Sequence, residues 1–553
     1  MGINRASGST HRWRNVGAQT TGQAGAGNAY TCASNVANGA IIAGANCVPL
    51  NLYDPAIMIG GHIPDNVYNY LFQDQTGHTK FTQKTISLNF DGTLFQLPAG
   101  AIRAAIGYEH RNDSIDDEPS AAAQAGTLYN YSSAGITKGS DTVDEVYDEI
   151  NIPIMKEKPF FYDLNVNLSG RYTHYKSYGS DFTYHINGQW APIEFIRFRG
   201  NYGTSFRAPN LYEQFVADQT GFYGGGVDPC NGFATTFDPS SNRYKNCLAA
   251  LTPILGGAAT NFLATSGPEV ITRGGKGLLK AEKSTSWGLG VVLTTPREVA
   301  DLSFAVDYWN ITVRDEVQVL NTLILDRCYD AADFPNNRYC ALIAPRLPAS
   351  NPQRGNLDSF INPYINVASQ QASGIDFDLR YAREVAGGRL VARIQATRNI
   401  HQYFQTFSDD PKTDYNGTLG TQGAGAGPKW VGDLDLKYTF PSGKIIVRYG
   451  LKYVGKQDST DLIGPYVAGL GLGAVNTDFI AEAYWEHALS LQYKFSEGAQ
   501  ITVGVNNLFN AHPPVVSQIP ASNGVYTRIG NYFNSSNYDY IGRSVFVDIT
   551  KSF

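Results

Sequence analysis

The feature that most constrains this chain is an alternation of period two that recurs from about residue 80 to the C-terminus. Tyr162, Leu164, Val166, Leu168, Gly170 and Tyr172 fall on one face of an extended chain, and Asp163, Asn165, Asn167, Ser169, Arg171 and Thr173 on the other, because successive side chains of a strand point to opposite faces. Phe182, Tyr184, Ile186, Gly188 and Trp190 repeat the pattern against Thr183, His185, Asn187 and Gln189. So do Leu434, Leu436, Tyr438 and Phe440, then Val447, Tyr449, Leu451 and Tyr453, then Leu489, Leu491, Tyr493 and Phe495. This predicts an all-β fold of about fifteen strands, the first near 81–95 and the last over 543–553, where Val545, Val547, Ile549 and the terminal Phe553 share a face.

Two environments suit strands with one greasy and one charged face: a half-buried soluble sheet, or a membrane barrel with lipid outside and a wet lumen. The connections decide. Short turns at 97–100, 191–194, 295–298, 441–443 and 496–498 alternate with long irregular segments near 112–142, 207–281, 316–362, 406–426, 459–480 and 511–541, and only the connection near 176–180 breaks the order. Short turns at one end and long loops at the other mark a transmembrane antiparallel β-barrel of outer-membrane type. The charged fraction of 17% is below the roughly 25% of a soluble domain, and Tyr and Phe at strand ends suit interface girdles. No run approaches the roughly 18–20 apolar residues of a spanning helix. A net charge of −6 offers no basic face, so nucleic acid is not an expected partner.

Residues 1–8 are polar and carry no basic start followed by an apolar core, so no secretory signal is read there. Residues 1–78 are read as a loop-rich N-terminal segment and 79–553 as the barrel. The six cysteines fall in sequence-local pairs, Cys32 with Cys47, Cys230 with Cys247 and Cys328 with Cys340, each in loop-like sequence. Without Cys-x-x-Cys spacing or flanking His, disulfides in an oxidising compartment are favoured over thiols or metal.

Five segments resemble the TonB-dependent outer-membrane receptors. "SFRAPNLYEQF" (205–215) is similar to the family's Phe-Arg-Ala-Pro barrel motif, through Phe206, Arg207, Pro209 and Glu213. "GLLKAEKSTSWGLGV" (277–291) is similar to the start of the following incoming strand, and "NPYINVASQQASGIDFDLRY" (362–381) to the family strand that carries Asn366 and Gly374. "VGVNNLFNAHPP" (503–514) resembles the Asn-Leu-Phe motif, here Asn507, Leu508 and Phe509, and the chain ends on Phe553 as theirs do. The resemblance implies the cell outer membrane of a Gram-negative bacterium and a barrel of roughly 22 strands, of which this chain would supply the last fifteen or so. It also implies partners: outer-membrane lipid, the barrel-assembly machinery, a scarce nutrient ligand, and the TonB complex acting through a plug domain that nothing in 1–78 resembles. The implied function is active import of a ferric siderophore or other large ligand. An unplugged porin or surface adhesin is the alternative, and a secreted carbohydrate-binding β-protein a third reading.

No catalytic residues are expected, because no Ser/His/Asp order or paired carboxylates stand in a catalytic context, and Gly274-Gly275-Lys276-Gly277 lacks phosphate-loop spacing. No cofactor is expected. The histidines, among them His174 and His185, show no His-x-His or His-x-x-x-His spacing, so no metal site is expected either. Charges on the polar strand faces, such as Asp376, Asp378, Arg380, Asp433, Asp435, Lys437, Arg448 and Lys452, are read as solvating the lumen. Arg207 and Glu213 are read as anchors of the following loop, with Pro209 setting its turn. In that loop Phe222, Tyr223 and Asp228, beside Gly224–Gly226 and the Cys230/Cys247 clip, are the ligand-contact candidates.

Overall fold

The computed structural model describes residues 72–126, 133–296, 301–419, 427–462, 479–496, 498–516 and 538–552, with scattered positions before residue 72 and the pairs 128–129 and 532–533. Cys47 and Phe553 lie outside the described residues, as does the side chain of Cys32 and most of the segment 1–78.

Fifteen long strands dominate: β1 (His78–Leu97), β2 (Gly100–Glu118), β3 (Thr137–Lys158), β4 (Phe161–Tyr175) and β5 (Gly179–Ile193); β6 (Ile196–Arg207), β7 (Glu282–Thr294), β8 (Asp301–Val319), β9 (Ser359–Val385) and β10 (Gly388–Gln405); β11 (Trp430–Thr439), β12 (Ile445–Val454), β13 (Tyr484–Ser496), β14 (Ala499–Asn506) and β15 (Ser544–Lys551). Each pairs antiparallel with the next, in one ladder from β1 to β15. In the barrel order β15 comes next to β1. No residue register joins those two among the described residues, and both are exposed along almost their whole length.

The connections sort as the sequence suggests, with two further short links, 158–161 and 385–388. One end carries the short links 97–100, 158–161, 193–196, 294–301, 385–388, 439–445 and 496–499. The link after β9 is a two-residue hairpin in which Ala386 and Gly387 take φ of +50° and +73°, the left-handed pair that matches strand twist. The other end carries 118–137, 207–282, 319–359, 405–430, 454–484 and 506–544, with 175–179 the short exception. Several strands run further into the loops than the pattern predicts: β2 continues to Glu118, β3 starts at Thr137, β8 reaches Val319 and β9 starts at Ser359. The extensions of β2 and β3 are almost entirely polar, and those of β8 and β9 hold apolar residues only in short runs such as Val317, Val319, Phe360 and Ile361, so no sustained greasy row announces them, yet the backbone ladder continues.

Register fixes which side chains share a face. Tyr308, Ile375, Arg398 and Trp430 form one outward rung across β8, β9, β10 and β11. Phe377 stacks on Trp430 at 6.0 Å, and Arg398 lies over the Trp430 ring at 5.7 Å. Along β11 the outward row runs from Trp430 through Leu434 and Leu436 to Tyr438, eight residues on. At a rise of ~3.3 Å per residue and a tilt of ~40° these two aromatics stand roughly 20 Å apart along the axis, close to an apolar band of ~25 Å flanked by girdles. On the opposite face Arg171 pairs with Glu145 at 2.8 Å, Arg448 with Asp435, and Asp376 and Asp378 accept from Thr397 and Gln395 at 2.7 and 2.9 Å. Asp376, Asp378, Asp435 and Arg448 are thus held in cross-strand contacts.

Candidate functional site

The largest buried side chains lie mainly in the long loops, as expected of a hollow wall wet on one face. The connections 207–282 and 319–359 pack into one body. Its first cluster gathers Cys230, Phe233, Cys247, Leu251, Phe262, Cys328 and Tyr329, and its second Val227, Leu320, Ile324, Leu325, Leu357, Phe360 and Phe407. Two of the expected disulfides are present, Cys230–Cys247 and Cys328–Cys340, and three of their four sulfurs lie in that first cluster.

Polar contacts lock the loops to one another. In the connection 207–282, α1 (Leu211–Phe215) is capped by Asn210, whose side chain accepts from the Glu213 N–H at 2.8 Å while Glu213 accepts from the Asn210 N–H at 2.8 Å, a capping box. Further on, α2 (Asn242–Leu255) faces α3 (Leu323–Tyr329) of the second loop. Arg243 donates to Asp330 at 2.6 Å and Asp326 at 2.9 Å, and Asn246 donates to the carbonyls of Tyr329 and Ala331. Arg346 donates through both terminal nitrogens to Asp228 at 2.8 Å, and through Nε to the Tyr329 hydroxyl at 2.8 Å. The short strands Gln219–Phe222 and Glu269–Arg273 pair with each other, and the second runs parallel to the start of β9, which docks the body on the barrel wall. At its edge Arg273 forks onto Asp218 at 2.6 and 2.7 Å, and that bonding holds the Asp218 carboxyl below the usual carboxylate range.

The family-like residues sit at the rim. Arg207 bonds Glu282 at 2.7 Å and Glu213 at 3.0 Å, and Glu282 also accepts from the Val317 N–H at 2.8 Å, so one guanidinium joins the ends of β6, α1, β7 and β8. Pro209 is buried and its carbonyl accepts from Gln214. Phe206 packs edge-on against Tyr175 and Tyr178. Asn366 donates to the Lys280 and Asp315 carbonyls and accepts from the Lys280 N–H. At Gly374, beside a bulge against β10, a Cβ would stand 2.6 Å from the Trp309 ring. Asn507, buried and at φ +48°, exchanges bonds with Ala511 at 2.7 and 2.8 Å. Next to it the Leu508 N–H donates to the His487 carbonyl, and the exposed Phe509 packs on the His487 ring.

The ligand-contact candidates separate. Phe222 is 59% exposed, Tyr223 stacks on Phe360 at 6.1 Å and is half-buried, and Asp228 is buried against Arg346. Burial raises the Tyr223 hydroxyl above its ordinary value. The sequence reading did not single out Arg346 or Arg243, and it held Glu282 only as part of the segment 277–291. Arg346 and Asp228 are 118 residues apart, and no local spacing announces such a pair.

The family model described as "TonB dependent receptor-like, beta-barrel" matches residues 5–508. Among solved structures the fold is similar to the ferric enterobactin receptor of Pseudomonas aeruginosa, at 14% identity and a TM-score of 0.53 over 86% of this chain and 55% of that one. It is similar also to the siderophore receptor PirA of Acinetobacter baumannii, at 15% identity and a TM-score of 0.50 over 86% and 55%. The chain therefore spans about half the length of these solved relatives. No curated protein matches the sequence.

Proposed function

The chain belongs to the TonB-dependent receptor β-barrel family, non-enzymatic transporters of the Gram-negative outer membrane, and from that premise we propose that it is the barrel part of an active importer of a ferric siderophore or similarly large nutrient chelate. In this reading residues 79–553 are the barrel and 1–78 a loop-rich segment on the outer side. The two packed loops receive the ligand, and a plug domain relays energy from TonB.

The observation that carries the reading is the loop body itself. A passive pore gains nothing from two disulfides, a buried ion pair and a capped helix in its outer loops, whereas a receptor gains a preorganised surface, which lowers the ordering cost of binding. Phe222 offers an exposed ring on that surface, beside Tyr223 and a run of glycines. Asp228 acts through Arg346 as a positioning residue. Two of the solved receptors of similar fold carry siderophore names, which supports the choice of ligand class.

Titration of the purified protein with ferric catecholate and ferric hydroxamate siderophores, read by quenching of intrinsic tryptophan fluorescence, tests it. One class binds saturably and Phe222→Ala weakens it. No saturable binding of any ferric chelate, with free diffusion of small solutes through reconstituted protein, would favour a passive porin.

A further inference from the structure

The outward face of β2 to β5 carries greasy rows, and one carboxylate stands inside them. Register places Ile106, Asp148, Gly170 and Tyr184 on a single rung across β2, β3, β4 and β5. The rungs on either side hold Val146, Tyr172 and Phe182 toward the loops and Ile150, Leu168 and Ile186 toward the short turns, and all of these but Ile150 are exposed. On β3 the polar surface starts four residues toward the loops, at Asp144, which takes His110 and the Tyr108 hydroxyl. On β4, six residues from Gly170 toward the short turns, Leu164 pairs with Trp190. At ~3.3 Å per residue and a tilt of ~40°, Asp148 therefore lies roughly 10 Å inside one edge of the apolar band and about 15 Å from the other.

The Asp148 carboxylate is exposed and leans over Gly170, where a Cβ would stand 3.1 Å from Oδ1. It has neither a hydrogen-bond nor an ion-pair partner among the described residues. The nearby Tyr172 hydroxyl donates to Ser180 at 2.9 Å instead. Lipid tails offer no donor, so a carboxylate at this depth is costly and marks a contact still to be made. Two strands along the same rung stands the reverse case. The rings of Tyr184 and Tyr202 lie 6.1 Å apart and their hydroxyls bond each other, which uses one phenolic proton and leaves the second without an acceptor. An acceptor on β3 and a spare donor on β5 thus flank Gly170 on β4.

We propose that this wall is the interface of a homodimer, in which a second copy of the chain meets the first across a twofold axis that runs along the membrane normal and passes over Gly170. Such an axis sets β3 of each copy against β5 of the other, so each Asp148 accepts from the spare hydroxyl of the opposite Tyr184–Tyr202 pair. The contact is self-complementary, as a twofold interface must be. A rung climbs ~3 Å per strand at this tilt, about 6 Å from β3 to β5, a height that a tyrosine side chain spans. Gly170 has no side chain to hold the two walls apart at the axis. A phenol donating to a carboxylate is a charge-assisted bond, and it gains strength where water is excluded. Lipid satisfies neither group, and an unrelated barrel would need both a donor and an acceptor at matching heights, whereas a second copy supplies both by symmetry.

The test is cross-linking in outer membranes from cells producing the full chain. Leu168→Cys puts a thiol on the lipid-facing side of β4 beside the axis, and Leu491→Cys puts one on β13 as a control. Mild oxidation should link Leu168→Cys chains into a species of twice the chain mass and leave Leu491→Cys unlinked. Adding Asp148→Leu, or Tyr184→Phe with Tyr202→Phe, should lower the yield of that link at least about tenfold, as expected for two lost charge-assisted bonds. Asp148→Asn still offers an acceptor and should keep part of it. Because Asp148→Leu removes a charge from lipid, that variant folds at least as well as the parent, which heat-modifiable electrophoretic mobility checks. Absence of the Leu168→Cys link, a link undiminished in folded Asp148→Leu, or linkage of Leu168→Cys only to other outer-membrane proteins would each overturn the proposal.

Discussion

Asp228 and Arg346 meet in the loop body as a bidentate pair, both N···O distances 2.8 Å, with side chains 0% and 4% exposed. Both partners have further support: Asp228 accepts from the Cys230 N–H, and Arg346 also reaches the Gly355 carbonyl at 2.7 Å and the Tyr329 hydroxyl. Removing one partner leaves a buried charge uncompensated, which costs ~3–5 kcal/mol. Arg346→Met is therefore expected to melt the two loops while the barrel stays folded. Hydrogen exchange should rise over 225–262 and 323–357 and remain slow in β3 and β4. The double variant Asp228→Leu/Arg346→Met should recover much of the loss.

The two disulfides close intervals of 17 and 12 residues, for which loop entropy suggests ~3 kcal/mol each. Reduction, or Cys247→Ser with Cys340→Ser, should loosen α2 and α3 and raise protease sensitivity of both loops. Heat-modifiable mobility of the barrel should not change, because no cysteine sits in the strand ladder.

At the rim, Asn366→Ala should cost ~1–3 kcal/mol by leaving the Lys280 and Asp315 backbone groups without their partner. Gly374→Ala should cost a similar ~1–3 kcal/mol, since the added methyl meets the Trp309 ring. Both are expected to slow assembly into the outer membrane, measured as the folded fraction after pulse labelling, with no change in the loop disulfides.

The Asp218–Arg273 fork gives a pH dependence. Hydrogen bonding to Arg273 lowers the Asp218 carboxyl in the folded loop. Its contribution is therefore complete above the ordinary Asp value of about 3.9, and is lost as pH falls through the lowered value. Hydrogen exchange of the short strand Gln219–Phe222, corrected for the intrinsic pH dependence of amide exchange, should stay constant from neutral pH to the ordinary carboxylate range and rise only below it. Asp218→Asn should show the raised exchange at every pH. The fork is half-exposed, so the effect is small.

The barrel was legible because its signal is local. In β4 and β5 a greasy residue stands at every second position, and the register of Leu164 with Trp190 and Tyr172 with Phe182 follows from that alternation. The links 158–161 and 385–388 left weaker traces, since Pro159-Phe160 and Ala386-Gly387 interrupt runs that read as continuous. The loop body was not legible beyond its cysteines. Its organising contacts, Arg346 to Asp228 and Arg243 to Asp330, join residues 118 and 87 apart, and a sequence without periodicity gives no means to pair them. Asn366 and Gly374 could be picked out by resemblance, but their reasons, a three-bond staple and a tryptophan ring, belong to the folded rim.

The measurement that tests the account most directly is uptake of a radioiron-labelled ferric siderophore by cells producing this protein, with and without a functional TonB complex. The account predicts saturable accumulation against a gradient that disappears when TonB is lost, with surface binding preserved. Equal uptake in both strains, linear in concentration and unaffected by Arg346→Met, would contradict it and leave an open pore.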